Sequence, residues 1–180
     1  MLLGVESTGK TTLAQKLAQH FHTEWVAEYG REHGERKVAG LTMEDPLPAW
    51  DFDEFMHIAM EQKRREDLSA RRANKVLICD TNAFTTGTWY ERYRNTRDVQ
   101  VDALGAQDKV DLYLLTAPDV PFLQDGFRDG EKIRHWMHER FVAQLAQLAV
   151  PYLILSGPFP DRDRTAVESV AALLAQPFAL

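Results

Sequence analysis

The 180-residue sequence predicts an α/β fold of three layers, with a five-stranded, mostly parallel sheet and helices on both faces. Three observations carry that prediction. Gly4-Val5-Glu6-Ser7-Thr8-Gly9-Lys10-Thr11 is a complete G-x-x-x-x-G-K-[ST] loop, in which backbone N–H groups close around phosphate oxygens. An amphipathic helix follows at once, with Leu13, Leu17 and Phe21 on one face and Ala14 and Ala18 beside them. Further along, Lys75-Val76-Leu77-Ile78-Cys79-Asp80 reads as a buried strand that ends in a carboxylate.

The elements can be taken in order. Only Met1-Leu2-Leu3 precedes the phosphate loop, so the first strand is short. The helix after the loop directs its positive end at the phosphates. Thr23-Glu24-Trp25-Val26-Ala27 gives a second strand, closed by Glu28. Residues 30–50 are rich in charge, Gly and Pro, which predicts loop or poorly regular helix. Asp51 or Asp53 then caps a long helix running to about Ala73, with Phe55, Ile58, Ala59 and Gln62 at helical spacing.

After the Asp80 strand, Trp89, Tyr90 and Tyr93 follow Thr85-Thr86 at helical spacing. Residues 110–116 form the next strand, closed by Pro118. The polar, Gly-containing stretch around Asp125-Gly126-Phe127-Arg128 reads as a mobile lid. Residues 131–148 form an amphipathic helix through Ile133, Met137, Phe141, Leu145 and Leu148. Residues 151–157 supply the last strand, and Val167, Val170, Ala171 and Leu174 mark a closing helix. The Pro158-Phe159-Pro160 turn marks no boundary, so residues 1–180 read as one P-loop kinase domain. Asp161-Arg162-Asp163-Arg164 is most simply a solvated loop.

Composition narrows the function classes. No apolar run approaches the roughly 18 residues that a bilayer span needs, and Met1 runs straight into the phosphate loop, leaving no room for a signal peptide. The single cysteine, Cys79, excludes an internal disulfide and suits a reducing cytoplasm; in an apolar strand it is an inert, buried thiol. A net charge of −6 argues against a duplex nucleic-acid partner. The scattered histidines have no zinc-like spacing, and no [NT]KxD guanine-reading motif occurs, which favours ATP over GTP.

Phosphoryl transfer needs alignment, charge stabilisation and a group to take the nucleophile's proton. Lys10 offers a mobile charge for β/γ-phosphates and Thr11 a hydroxyl for Mg²⁺, while Gly4, Glu6, Ser7, Thr8, Gly9 and Thr12 complete the nucleotide cradle. Asp80 either helps to hold Mg²⁺ or accepts the proton, unless it serves as a turn or capping aspartate. Glu28 and Asp80 can divide the roles of base and hydroxyl clamp in either order, with a solvated loop as the alternative for Glu28. Tyr29 and Arg31 suit a polar ring compound. Arg128 and Arg134 reach for the γ-phosphate, with a helix-surface position as the alternative for Arg134. Trp89 either packs in the core or faces a flat substrate.

With these residues in place, the chain resembles the ribosylnicotinamide kinase domain of NadR-type proteins and their stand-alone AAA-like relatives. The resemblance rests on the phosphate loop through Thr12, on Glu28-Tyr29-Gly30-Arg31-Glu32, on Asp80-Thr81 with Thr85-Thr86 and Trp89, and on Asp125-Gly126-Phe127-Arg128, in the family's order. It implies ATP-dependent phosphorylation of the 5′-hydroxyl of nicotinamide riboside to the mononucleotide. Asn82 stands where relatives often carry a second acid at the ribose contact, and Gln124 replaces another acid. Two other readings stay open, a kinase of the same build for a different small metabolite and an ATP-binding sensor. The short first strand further suggests a start, or a lost module such as an adenylyltransferase, upstream of Met1.

Overall fold

The computed structural model describes residues 1–41, 48–124 and 130–176. Its strands are β1 (Leu2–Gly4), β2 (Trp25–Val26), β3 (Ile78–Cys79), β4 (Tyr113–Thr116) and β5 (Tyr152–Leu155), and every pairing is parallel. They form a three-stranded sheet, β1-β4-β5, and a two-stranded ladder, β2-β3. The two are joined by a Leu2–Asp80 bridge, in which the Thr81 amide donates to the Leu2 carbonyl at 2.9 Å. The expected five strands are therefore hydrogen-bonded as three plus two. Short β2 and β3 leave a single bridge to carry the junction.

β1 is as brief as the sequence suggests, yet it is the centre of the molecule. Leu2 and Leu3 are both fully buried. A strand flanked on both edges and covered on both faces needs no polar alternation. Leu2 and Leu114 point to one face, against Leu13 and Leu17 of α1 (Lys10–Phe21) and Ala166 and Val170 of α7 (Phe159–Leu174). Leu3 and Leu115 point to the other, against Met137, Phe141 and Leu145 of α6 (Arg134–Leu145). This period-2 division gives the three layers.

Between β2 and β4 lie α2 (Tyr29–Lys37), α3 (Phe52–Ala70), α4 (Ala83–Arg94) and α5 (Val99–Gly105). A third apolar cluster of Phe55, Tyr90 and Val101 sits there, away from the sheet. Asp51 begins α3 through a full capping box, its carboxylate accepting from the Glu54 amide at 2.9 Å while Glu54 accepts from the Asp51 amide at 3.0 Å.

Two segments differ from expectation, and a third decides between two expected forms: of loop or poorly regular helix, residues 29–37 take the helix. Their composition hides the helix, which is held instead by the Arg31–Glu35 and Arg36–Glu32 pairs and by Arg65 of α3 against Glu32. α5 is too short for a periodic signal; Asp98 caps it by accepting from the Gln100 and Val101 amides, and Val101 is fully buried. Residues 161–164 are not a solvated loop but the first turns of α7. Arg162, Ala166 and Val170 share its buried stripe, and Arg162 is only 2% exposed. Among the described residues no helix is long and apolar enough to cross a membrane.

Candidate functional site

The phosphate loop turns from β1 into α1 at the carboxyl edge of the sheet, where open α/β folds bind ligands. Both glycines are required by space. A Cβ on Gly4, at φ 154°, would lie 2.0 Å from Thr116 Oγ1, and one on Gly9, at φ 81°, would lie 2.7 Å from the Phe159 ring. Thr8 braces the loop from inside, donating to the Val5 carbonyl at 2.8 Å and sharing a 2.7 Å hydrogen bond with Thr116. The first four amides of a helix have no intrahelical partner, so the start of α1 offers a ready cradle for an anion. Thr12 is exposed on its first turn.

Lys10, Thr11, Glu28 and Asp80 converge at this point. Lys10 Nζ donates to Asp80 Oδ1 at 2.5 Å and to Glu28 Oε2 at 3.1 Å, and Thr11 Oγ1 donates to Asp80 Oδ2 at 2.5 Å. The two acids follow β3 and β2, which are paired in parallel, so their carboxylates emerge side by side. Asp80 is 1% exposed. Burial acts to lower the Lys10 pKa, but the charges of Asp80 and Glu28 more than reverse it and hold the ammonium above its ordinary range.

The other variable loop residues face the segment before α6. Glu6 accepts from the Gly130 amide at 2.8 Å and Ser7 Oγ from the Leu123 amide at 2.7 Å. Arg134 is buried, donating to the Val120 carbonyl at 3.1 Å and the Ser7 carbonyl at 3.4 Å. Its burial rules out the helix-surface position. Arg128 lies outside the described residues.

Residues 1–162 match the AAA domain family. The chain belongs to the AAA domain family. This AAA domain is 33% identical, over 127 residues, to the trifunctional NAD biosynthesis/regulator protein NadR of Salmonella typhimurium (strain LT2), and equally to that of Escherichia coli (strain K12). Those alignments cover 71% of this chain and 30% of each relative, so the chain spans about a third of their length. A crystal structure of NadR in complex with NR superposes with a TM-score of 0.78 at 23% identity, covering 99% of this chain and 52% of that one. A second, with NAD and AMP-PNP, gives 0.71 at 21%, covering 99% and 50%. At these identities the likeness shows the fold alone: the domain folds as the matched half of those NadR structures does.

The substrate-side candidates of the AAA domain are less uniform. Tyr29 is buried; its hydroxyl meets His57 Nε2 at 2.8 Å, and the Arg65 guanidinium lies 4.3 Å from its ring centre. Arg31 turns to Glu35 on the outer side of α2, at 2.8 Å. Asn82 holds the N-cap position of α4, donates to Tyr113 Oη at 3.4 Å and leaves its buried Oδ1 without a protein partner. Trp89 is half-buried between the second and third apolar clusters, stacked on Tyr93 with centroids 6.3 Å apart and with Arg92 over its ring. Asn82 and Trp89 thus share α4, while the Tyr29 hydroxyl meets His57 and the Arg31 guanidinium meets Glu35.

Gln62 shares the buried stripe of α3 with Phe55, Ile58 and Ala59, although it is polar. Its side chain accepts from the Tyr29 amide at 2.9 Å and donates to the Thr81 carbonyl at 3.4 Å, tying together the segments after β2 and β3. An amide on an apolar stripe must find partners, and that was its signal. Cys79 is buried and free, as expected, and burial drives its thiol pKa far up.

Proposed function

We propose that the chain is an ATP-dependent kinase that transfers the γ-phosphoryl group to the 5′-hydroxyl of a nucleoside, nicotinamide riboside first, yielding nicotinamide mononucleotide for NAD salvage. The observation that carries it is the meeting of Lys10, Thr11, Glu28 and Asp80 beside the phosphate loop. A sensor needs only a nucleotide cradle; two strand-end acids facing the loop lysine supply what transfer also needs. Support for the substrate comes from relatives named for NAD biosynthesis and from solved NadR structures holding NR or NAD with AMP-PNP. We take residues 1–180 as one kinase domain.

The donor set suits Mg-ATP. Gly4 and Gly9 leave the backbone bare where a Cβ would collide, Lys10 is held charged, and a hydroxyl and a carboxylate, Thr11 and Asp80, stand together as hard oxygen ligands. When bound there, Mg²⁺ supplies positive charge against the phosphate oxygens. Lys10 leaves its two acids to meet the β/γ-phosphates. Both Asp80 oxygens are engaged, whereas Glu28 meets Lys10 through Oε2 and has a half-buried side chain. Glu28 is therefore our base: the substrate hydroxyl loses its proton to the Glu28 carboxylate as its oxygen bonds to the γ-phosphorus and the bond to the β–γ bridging oxygen breaks, releasing ADP.

Glu6, Ser7, Thr8, Thr12 and Arg134 shape the loop around the nucleotide, and Arg128 is the arginine we assign to the γ-phosphate. For the substrate wall we assign Asn82, whose Oδ1 can accept a hydrogen bond from a hydroxyl, and Trp89, with Tyr29 and Arg31 supporting from α2. The test is coupled ADP release with Mg-ATP against nicotinamide riboside, common ribonucleosides and deoxyribonucleosides. Selective turnover of nicotinamide riboside is expected. Turnover of another nucleoside alone keeps the mechanism and discards the substrate, and ATP binding without turnover replaces the kinase with a sensor.

A further inference from the structure

Among the described residues Arg162 is the largest side chain buried to this degree, at 2% exposure. A charge in that setting is costly unless its hydrogen bonds are made. Its guanidinium reaches three loops at once. Nε donates to the Gly157 carbonyl at 2.7 Å, after β5; Nη1 donates to the Ala117 carbonyl at 3.1 Å, after β4, and to the Thr8 carbonyl of the phosphate loop at 3.4 Å. Nη2 donates to Asp119 Oδ1, and Asp119 Oδ2 in turn accepts from the Gly157 amide at 2.7 Å. Phe159 lies over the same group, its ring centre 5.5 Å from the guanidinium carbon, and its other side fills the space beside Gly9.

A planar fork with five donors can span three carbonyls and a carboxylate, whereas a lysine ammonium cannot. All three loops leave the carboxyl ends of neighbouring parallel elements, β1, β4 and β5. Their backbone is what a nucleotide would meet on entering the cradle.

We propose that Arg162, with Asp119 as its counterion, is a positioning residue that locks the phosphate loop and the loops after β4 and β5 into one pre-organised nucleotide-binding surface. It sets affinity for the nucleotide and leaves affinity for the phosphate acceptor untouched. The acceptor half of that statement rests on the kinase reading; the nucleotide half rests only on the phosphate loop. Pre-organisation of this kind shows itself as binding strength, because the unliganded loops no longer have to be ordered on contact.

The test uses the full chain with Arg162→Lys and Asp119→Asn, read by calorimetric titration of Mg-ADP and Mg-AMP-PNP, thermal unfolding, and separate KM values for ATP and acceptor. Both variants should weaken nucleotide binding by about tenfold or more, as for loss of a charge-assisted contact, with acceptor KM held within about twofold. Asp119 is 40% exposed in its side chain and gives the reading even if Arg162→Lys does not fold. Nucleotide affinity within about twofold of wild type, or ATP and acceptor KM rising together, overturns the proposal and leaves Arg162 as packing. If the wild-type chain binds ADP but phosphorylates no nucleoside, the kinase reading fails while the two affinities still decide the role of Arg162.

Discussion

Lys10 Nζ lies 2.5 Å from Asp80 Oδ1, so the cation of the phosphate loop is bonded across the sheet edge to the acid that ends β3. The contact is buried on both sides, with side-chain exposures of 10% and 1%. Removing one partner of such a pair strands the other charge, which costs more than the pair contributes. The loop lysine and the two strand-end acids therefore hold one another in register.

Asp80→Asn should lower kcat by at least about 10²-fold, the usual loss for a central electrostatic group. Lys10 would still face Glu28 and the amide could still accept from Thr11, so the fold should hold. Steady-state ADP release and a melting curve on the same sample decide it. A kcat close to wild type would remove Asp80 from the transfer machinery.

The fold and the centre of the site were legible because both are written in local pattern. The phosphate loop, the Asp80 strand and the Leu13–Leu17–Phe21 face are contiguous signals that tertiary structure had only to assemble. What stayed hidden depends on partners distant in sequence. α2 has no apolar period of its own and is helical because Glu32 meets Arg65 and Tyr29 meets Gln62 on α3. Arg162 sits amid charged neighbours, yet Ala166 and Val170 share its buried stripe, and three of its four partners, Thr8, Ala117 and Asp119, lie over 40 residues away. The contacts of Arg134 to the Ser7 and Val120 carbonyls are likewise visible in no spacing.

Trp89 joins two apolar clusters while remaining half-buried, so its truncation tests packing and substrate contact together. Trp89→Ala should cost about 1–3 kcal/mol of unfolding free energy, below the usual figure for a fully buried tryptophan. Acceptor KM should rise, with ATP KM unchanged. Trp89→Phe keeps a ring against Tyr93 and should recover most of both. Urea denaturation paired with the two KM values checks this; an unchanged acceptor KM would make Trp89 a core residue only.

The Asp51–Glu54 capping box opens α3, the longest helix among the described residues, and neither residue contacts Lys10, Thr11 or Asp80 in the hydrogen bonds of that site. Asp51→Ala should destabilise the chain by about 1 kcal/mol through loss of the cap. Nucleotide affinity should not move. A fall in ADP binding equal to the fall in stability would show that α3 is coupled to the phosphate loop more tightly than its contacts indicate.

Glu66 of α3 gives a pH signature with a definite sign. Burial, reinforced by the charge of Asp108, pushes its carboxyl up from 4.5 to about 7, although Gln62 donates to it at 3.0 Å. Between these two values the folded chain keeps a proton that the unfolded chain has released. Stability attributable to Glu66 is thus complete below 4.5, falls as pH rises to about 7, and is flat above. The loss is on the order of 3 kcal/mol at most. Glu66→Gln preserves an acceptor for Gln62 and cannot ionise, so it should match wild type at about pH 4 and exceed it at about pH 8. The difference between the two unfolding free energies, followed across that range, cancels every other titrating group. A difference that stays constant with pH would mean that the Glu66 carboxyl is solvated and ionises normally in the folded chain.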